Sequence, residues 1–384
     1  MGARPAAGPR RPVWAAPLPV GRPPSRTGRG RKQDGEVRMQ QRSLVAVSAL
    51  AAAVALAPGL AYAQSQSADV APAPGFDTAL TEADASAADW TLGRTAWGDP
   101  DLQGIWNNVT ATRLERPADF ADRAELTAEE SAQFSAELAE QRAEREAQPH
   151  TGYAASIWFE SSDLLAGNRT SLLVDPPDGR LPPLTSVAAR MAEVVAEARR
   201  ASPADTWWDR GPYERCVSRG LPGAMMPGFY NHNYQILQTP NHVVILVEMI
   251  HDARIIPMDG RAHVDEGIRQ WLGDSRGRWE GDTLVVETTN LPHLDQRGVA
   301  VFGTSEQGRV IERFTRIDEN TMDYRVTVDD PATFTAEWTA SIPMRRIEGP
   351  IYEYACHEGN YGLTNILAGH RREEAEAAAL AASK

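Results

Sequence analysis

Between residues 233 and 356 apolar side chains recur at every second position, in short runs rich in Val, Ile, Thr, Tyr and Phe. This two-residue period predicts strands over 233–239, 242–250, 253–257, 283–289, 309–317, 322–328, 334–342 and 351–356. Turn formers separate the runs: Thr239-Pro240-Asn241, Asp259-Gly260, Glu280-Gly281-Asp282, Asp318-Glu319-Asn320 and Asp329-Asp330-Pro331. Connections this short favour antiparallel neighbours. The cleanest alternation sets Met322, Tyr324, Val326 and Val328 against Asp323, Arg325, Thr327 and Asp329, one buried face and one wet face. A sheet with that many inner faces buries them most simply by curling on itself. The expected fold is therefore α+β, a predominantly antiparallel β barrel or barrel-like sheet over about 210–360 with peripheral helices.

The period lengthens on either side. Thr127 and Glu130 form a capping box ahead of a Glu-, Gln- and Ala-rich run, which predicts a surface helix over 128–147. After the rigid Pro176-Pro177-Asp178-Gly179 and Pro182-Pro183 segments, Val187, Met191, Val194, Val195 and Ala198 recur at helical spacing and predict a helix over 186–200. A third helix is expected over 371–382.

The N-terminal region changes the picture of where the chain works. From Met39, Arg42 supplies a positive start, Leu44 to Leu60 an apolar run, and Ala61-Tyr62-Ala63 a small-residue cleavage site, the layout of a secretory signal. The expected organisation is a disordered or over-extended leader (1–38), a signal peptide (39–63), a flexible linker (64–95) and a single α+β domain (96–384). No later stretch is apolar enough to span a membrane, so the mature form is expected to be periplasmic or extracellular without membrane insertion. The first 63 residues hold ten Lys and Arg against two acidic residues, so removing their +8 from the whole-chain −13 leaves about −21. That charge disfavours nucleic acid and anionic surfaces as partners and leaves a small-molecule ligand or substrate as the expected one. Cys216 and Cys356 are the two cysteines, and an even pair in an exported chain predicts a disulfide, against the alternative of two buried thiols.

Three blocks, Trp97-Gly-Asp-Pro-Asp-Leu-Gln-Gly-Ile-Trp106, Arg169-Thr-Ser-Leu-Leu-Val-Asp-Pro-Pro-Asp-Gly-Arg180 and Gly273-Asp-Ser-Arg-Gly-Arg-Trp-Glu-Gly-Asp-Thr-Leu-Val-Val286, together resemble a family of exported bacterial proteins. The resemblance implies export and brings no catalytic residue with it. Gly104-Ile105-Trp106 is also similar to the Gly-x-Trp on the first strand of lipocalins, which would imply barrel closure.

Zinc-protease, serine-elbow, P-loop and dinucleotide motifs are missing, so no cofactor is expected. His251 closes the apolar face of Val243, Ile245, Val247 and Met249, where a proton-transfer group or ligand contact would sit; the alternative is a histidine satisfied by a backbone carbonyl. His251, Asp252, Asp259 and His263 match no metal-ligand spacing, no metal site is expected, and Asp252 and Arg254 are read as a surface pair. A Cys216–Cys356 bond would hold His357 and Glu358 beside Tyr213 and near Tyr230 and Asn233. The candidate site is thus His251, His357 and Glu358 as proton-transfer groups, Glu358 holding an imidazole in one tautomer, with Arg276, Asn233 and Tyr230 contacting the ligand. Glu248 and Glu287, carboxylates within apolar strands, are reserve bases. The chemistry compatible with this set is cofactor-independent hydrolysis, isomerisation or elimination. A non-catalytic binding protein or a cell-envelope interaction protein remains an alternative, the latter using tryptophan-rich loops such as Trp207-Trp208.

Overall fold

A computed structural model describes residues 90–383 apart from 121, 148–163, 229 and 293–304, all within one compact unit spanning 76–384. The leader, the signal peptide and most of the linker lie outside the described residues. Among the described residues there are ten strands: β1 (Gly104–Asn107), β2 (Leu173–Asp175), β3 (Asn233–Thr239), β4 (His242–Val247), β5 (Ala253–Pro257), β6 (Asp274–Glu280), β7 (Thr283–Thr289), β8 (Arg309–Arg316), β9 (Thr321–Asp329) and β10 (Trp338–Ile347). They form one sheet in the order β5-β4-β3-β1-β10-β9-β8-β7-β6, with β2 also paired to β10 and every pairing antiparallel.

The sheet curls but does not close into a barrel, which corrects the barrel and lipocalin-like expectation. Its end strands β5 and β6 meet through side chains. A β-carbon on Gly277 would lie 3.0 Å from Ile256 Cγ2 and 2.3 Å from Met258 Sδ, so glycine is what lets the two edges approach. Met258 N–H donates to Asn241 and Val247 N–H to Asp252, which sets Arg254 and Ile256 toward β4 and leaves Ala253, Ile255 and Pro257 facing outward. Pro257 has no N–H to offer there, and that blunts the edge against a further ladder.

The predicted inner face is fully buried: Met322, Tyr324, Val326 and Val328 meet Trp106, Tyr234, Ile245, Leu284, Phe314 and Ile342 inside the curl. One charged pair crosses this apolar interior. Arg254 on β5 holds Glu312 on β8 through both terminal nitrogens, and Tyr324 donates its hydroxyl to the same carboxylate at 2.9 Å. Asp252 and Arg254 are therefore no surface pair, since Arg254 points into the core and Asp252 accepts from Ser218 at 3.2 Å.

Other departures have local causes. β6, with Arg276, Arg278 and Glu280, carries too much charge for the apolar-run criterion, yet pairs with β7 as an edge hairpin across Gly281. The run at 351–356 forms no strand. The run at 334–342 is displaced to Trp338–Ile347 and continues through Pro343. That proline's nitrogen faces the gap between the β2 pairing at Thr339 and Ala340 and the β1 pairing at Arg345 to Ile347, where no donor is needed.

Helix α1 (Ala128–Ala147) starts at the predicted capping box, with Thr127 N–H donating to Glu130 at 2.8 Å. Helix α2 (Ser186–Ala201) leaves its Val187, Met191 and Val194 stripe exposed rather than packed. Helix α3 (Tyr361–Ala382) begins ten residues before the predicted start, capped by Asn360. No helix among the described residues is long and apolar enough to cross a membrane.

Candidate functional site

The Cys216–Cys356 bond is formed, bridging 140 residues. It ties the segment after β10 to the loop before β3 and gathers polar residues from four stretches of chain at one end of the sheet. Three phenols make a row: the Tyr230 hydroxyl lies 3.4 Å from that of Tyr213 and 3.3 Å from that of Tyr354, and the Tyr230 and Tyr354 rings stack with centroids 6.3 Å apart. Burial, with the hydrogen bond to Tyr230, pushes Tyr213 up to about 12 and raises Tyr354 as well, so both remain protonated at neutral pH.

Backbone conformation marks the same place. Five non-glycine residues among those described have left-handed φ, and four of them are here: Cys216 (57°), Asn231 (56°), Ile250 (66°) and His251 (49°). For a β-branched residue such as Ile250 this is a genuine outlier, and such residues concentrate where surrounding structure enforces a functional geometry. The predicted strand over 242–250 consequently stops at Val247, and a turn at Met249–His251 carries His251 out of the inner face to the surface.

His251 and His357 come together, with ring centroids 6.2 Å apart. His251 Nδ1 lies 2.8 Å from the Tyr354 carbonyl oxygen. A carbonyl can only accept, so Nδ1 carries the proton and Nε2 keeps a lone pair. The tautomer is thus fixed by a main-chain group and not by Glu358, which is exposed in the turn before α3. Asn233 is spent on structure: its oxygen accepts from Asn107 and its nitrogen donates to buried Glu248 at 2.8 Å, which also accepts from Tyr352 N–H. Glu248, one of the reserve bases, is a structural acceptor.

Arg276 belongs to a different cluster. Its guanidinium donates to Asp274 at 2.7 Å and to the Ala262 and Ser275 carbonyls, while Asp274 also accepts from His263 Nδ1 at 2.9 Å. Glu287, the other reserve base, is 3.7 Å from His263 Nε2 and 3.8 Å from Arg309. A shallow cleft of about 350 Å³ opens nearby between Arg269, Asn290, Glu306 and Arg309, but Arg269 and Arg309 already serve neighbouring acceptors. A set able to hold a cation, unforeseen in the sequence, joins Asp205 to His370 and Glu374, whose ligand atoms lie within 4.8 Å of one another on an exposed face.

Sequence reasoning missed Arg219, and it took in His232 only as part of the Tyr230-Asn231-His232-Asn233 stretch, with no role of its own. Arg219 is half-buried, its guanidinium 5.8 Å from the centre of the Tyr213 ring. His232 is buried, accepts from Gly228 N–H at 3.3 Å through Nδ1, and is depressed to about 4 by burial and by the Arg219 charge. Its Nε2 and the buried Asn108 Oδ1 have no hydrogen-bond partner among the described residues. Both residues sit in ordinary loop sequence, with no motif to single them out. No protein-family model and no curated protein matches this chain, so function has to be argued from the site itself.

Proposed function

We propose that the protein is exported and acts outside the cytoplasm on a small, partly apolar molecule at the disulfide-stapled end of the sheet, as an enzyme that moves protons without a nucleotide cofactor. The observation that carries this reading is the His251 imidazole, locked as the Nδ1–H tautomer by the Tyr354 carbonyl and adjoining a row of protonated phenols. Its Nε2 is the base. A phenol that stays protonated far above neutral pH donates to an oxygen on which negative charge develops. His357, 6.2 Å from His251, is close enough to return the proton to another atom of the same small substrate. Base, oxyanion donors and a second imidazole suit isomerisation or elimination next to a carbonyl, and ester hydrolysis through an activated water uses the same groups.

The test is turnover of β,γ-unsaturated ketones, β-hydroxy acids and simple aryl esters by the mature protein. One class should react, with His251→Gln lowering the rate by about 10²-fold or more. An unchanged rate in that variant would remove the catalytic assignment. Saturable binding without turnover would favour the non-catalytic alternative. Export is supported by the signal-like segment at 39–63 and the formed disulfide, and N-terminal sequencing of the secreted form should begin near Gln64.

One observation favours a second reading, an envelope interaction surface. Trp207 and Trp208 are 55% and 53% exposed, with the Arg215 guanidinium 5.2 and 4.9 Å from their rings. Trp207→Ala/Trp208→Ala should then abolish association with isolated cell envelopes while leaving turnover intact.

A further inference from the structure

A half-buried guanidinium needs a partner more than an exposed one does, and Arg219 meets no acceptor among the described residues. Arg210 is taken by Glu214, Arg215 by two indole rings and Arg254 by Glu312, but Arg219 makes neither a hydrogen bond nor an ion pair with any described residue. Its plane is nevertheless held. The Tyr213 ring lies beside it, as does Gly228, where a β-carbon would sit 3.0 Å from Nη1 and 3.2 Å from Nη2. Glycine at 228 is what allows that approach, so the fork is positioned while its donors stay free for an outside acceptor.

We propose that Arg219 is the anion clamp of the stapled end and that the ligand there is a small monocarboxylate with an apolar body. This rests on the reading of that end as the functional site. Two N–H groups of a planar guanidinium match the two oxygens of a carboxylate. The surface beside the fork is the Tyr213 ring, whose hydroxyl lies 3.8 Å from Met249 Sδ and 3.4 Å from the hydroxyl of Tyr230, itself stacked on Tyr354. A single unpaired cation suits one negative charge. A phosphate dianion would need further cations, and the surrounding net negative charge repels it. Arg219 thereby takes the role that the sequence assigned to Arg276.

The mature protein labelled with 3-fluorotyrosine provides the test, since Tyr213, Tyr230 and Tyr354 report occupancy of the site whatever the ligand's charge. The probes are phenylacetate and hexanoate, with methyl phenylacetate, hexan-1-ol and inorganic phosphate as comparators. Both carboxylates should shift the three fluorine signals and bind at least about ten-fold tighter than their neutral counterparts, roughly one charge-assisted interaction. Arg219→Gln should remove that preference, and Arg219→Lys, which keeps charge but not the fork, should retain part of it; thermal unfolding of each confirms the fold. Equal binding of acid and ester, a preference that survives Arg219→Gln, or phosphate competing as well as phenylacetate would each overturn the carboxylate assignment and leave the site reading standing. Silence of all three signals toward every probe would overturn both.

Discussion

Replacing Glu312 by Leu tests what holds the sheet in its curl, and with it the position of the site. Glu312 and Arg254 have side chains 0% and 1% exposed, and the carboxylate accepts from both guanidinium nitrogens and from Tyr324. The variant leaves a guanidinium in an apolar interior with no counter-charge, which costs about 3–5 kcal/mol. Removing both charges in Arg254→Met/Glu312→Leu eliminates the orphan and should return stability to within about 1 kcal/mol of the parent, because desolvation nearly offsets the attraction of a buried pair. The double-mutant cycle should therefore show a coupling of about 3 kcal/mol or more. Tyr324→Phe, which removes one hydrogen bond to a charged group, should cost about 1.5–3 kcal/mol. The assay is urea unfolding followed by tryptophan fluorescence. β5 begins two residues after His251, so the single variant should also broaden the fluorotyrosine signals of the stapled end. A cost below about 1 kcal/mol for Glu312→Leu, or a double variant as unstable as the sum of the singles, would refute the argument that this pair is desolvated and coupled.

Reduction of Cys216–Cys356 releases a 140-residue loop, and the chain-entropy relation gives about 4–5 kcal/mol for it, so Cys216→Ser/Cys356→Ser should show a lower urea midpoint and lose the three-phenol signal pattern. Folded His232 is depressed to about 4 while an unfolded imidazole titrates near 6.5, so its contribution is complete above that unfolded value and is lost as pH falls toward 4. Stability should drop by up to about 3 kcal/mol across that window, and His232→Asn should flatten the profile; a profile unchanged by the substitution would show that His232 is not held neutral. Gly277→Ala drives a β-carbon to 3.0 Å from Ile256, and overpacking of that kind should cost about 1–3 kcal/mol in thermal unfolding unless β5 and β6 are not in contact.

Alternation made the strands legible because it reports burial on one face, and that is a local property of consecutive residues. Met322 to Val328 could be assigned for that reason, and the capping box at Thr127 likewise depends on neighbours in sequence. The pairing of Cys216 with Cys356 followed from count alone, and it was enough to draw His357 and Tyr230 toward one end. The rest depended on direction, which sequence spacing does not encode. His251 faces outward because the chain turns through left-handed φ at Ile250, and a β-branched residue gives no warning of that conformation. Arg254, which read as a surface residue, faces inward because a carboxylate four residues into β8 awaits it across the curl, and the buried pair is visible only when the two strands are seen together. Arg276 and Arg219 differ in the same way. Asp274 takes up Arg276, which the sequence reading gave a ligand role, whereas Arg219, which that reading passed over, lies beside the Tyr213 ring and Gly228 with no acceptor among the described residues. Which arginine recognises a ligand is decided by what its neighbours leave unsatisfied, and that is a three-dimensional count of acceptors rather than a motif.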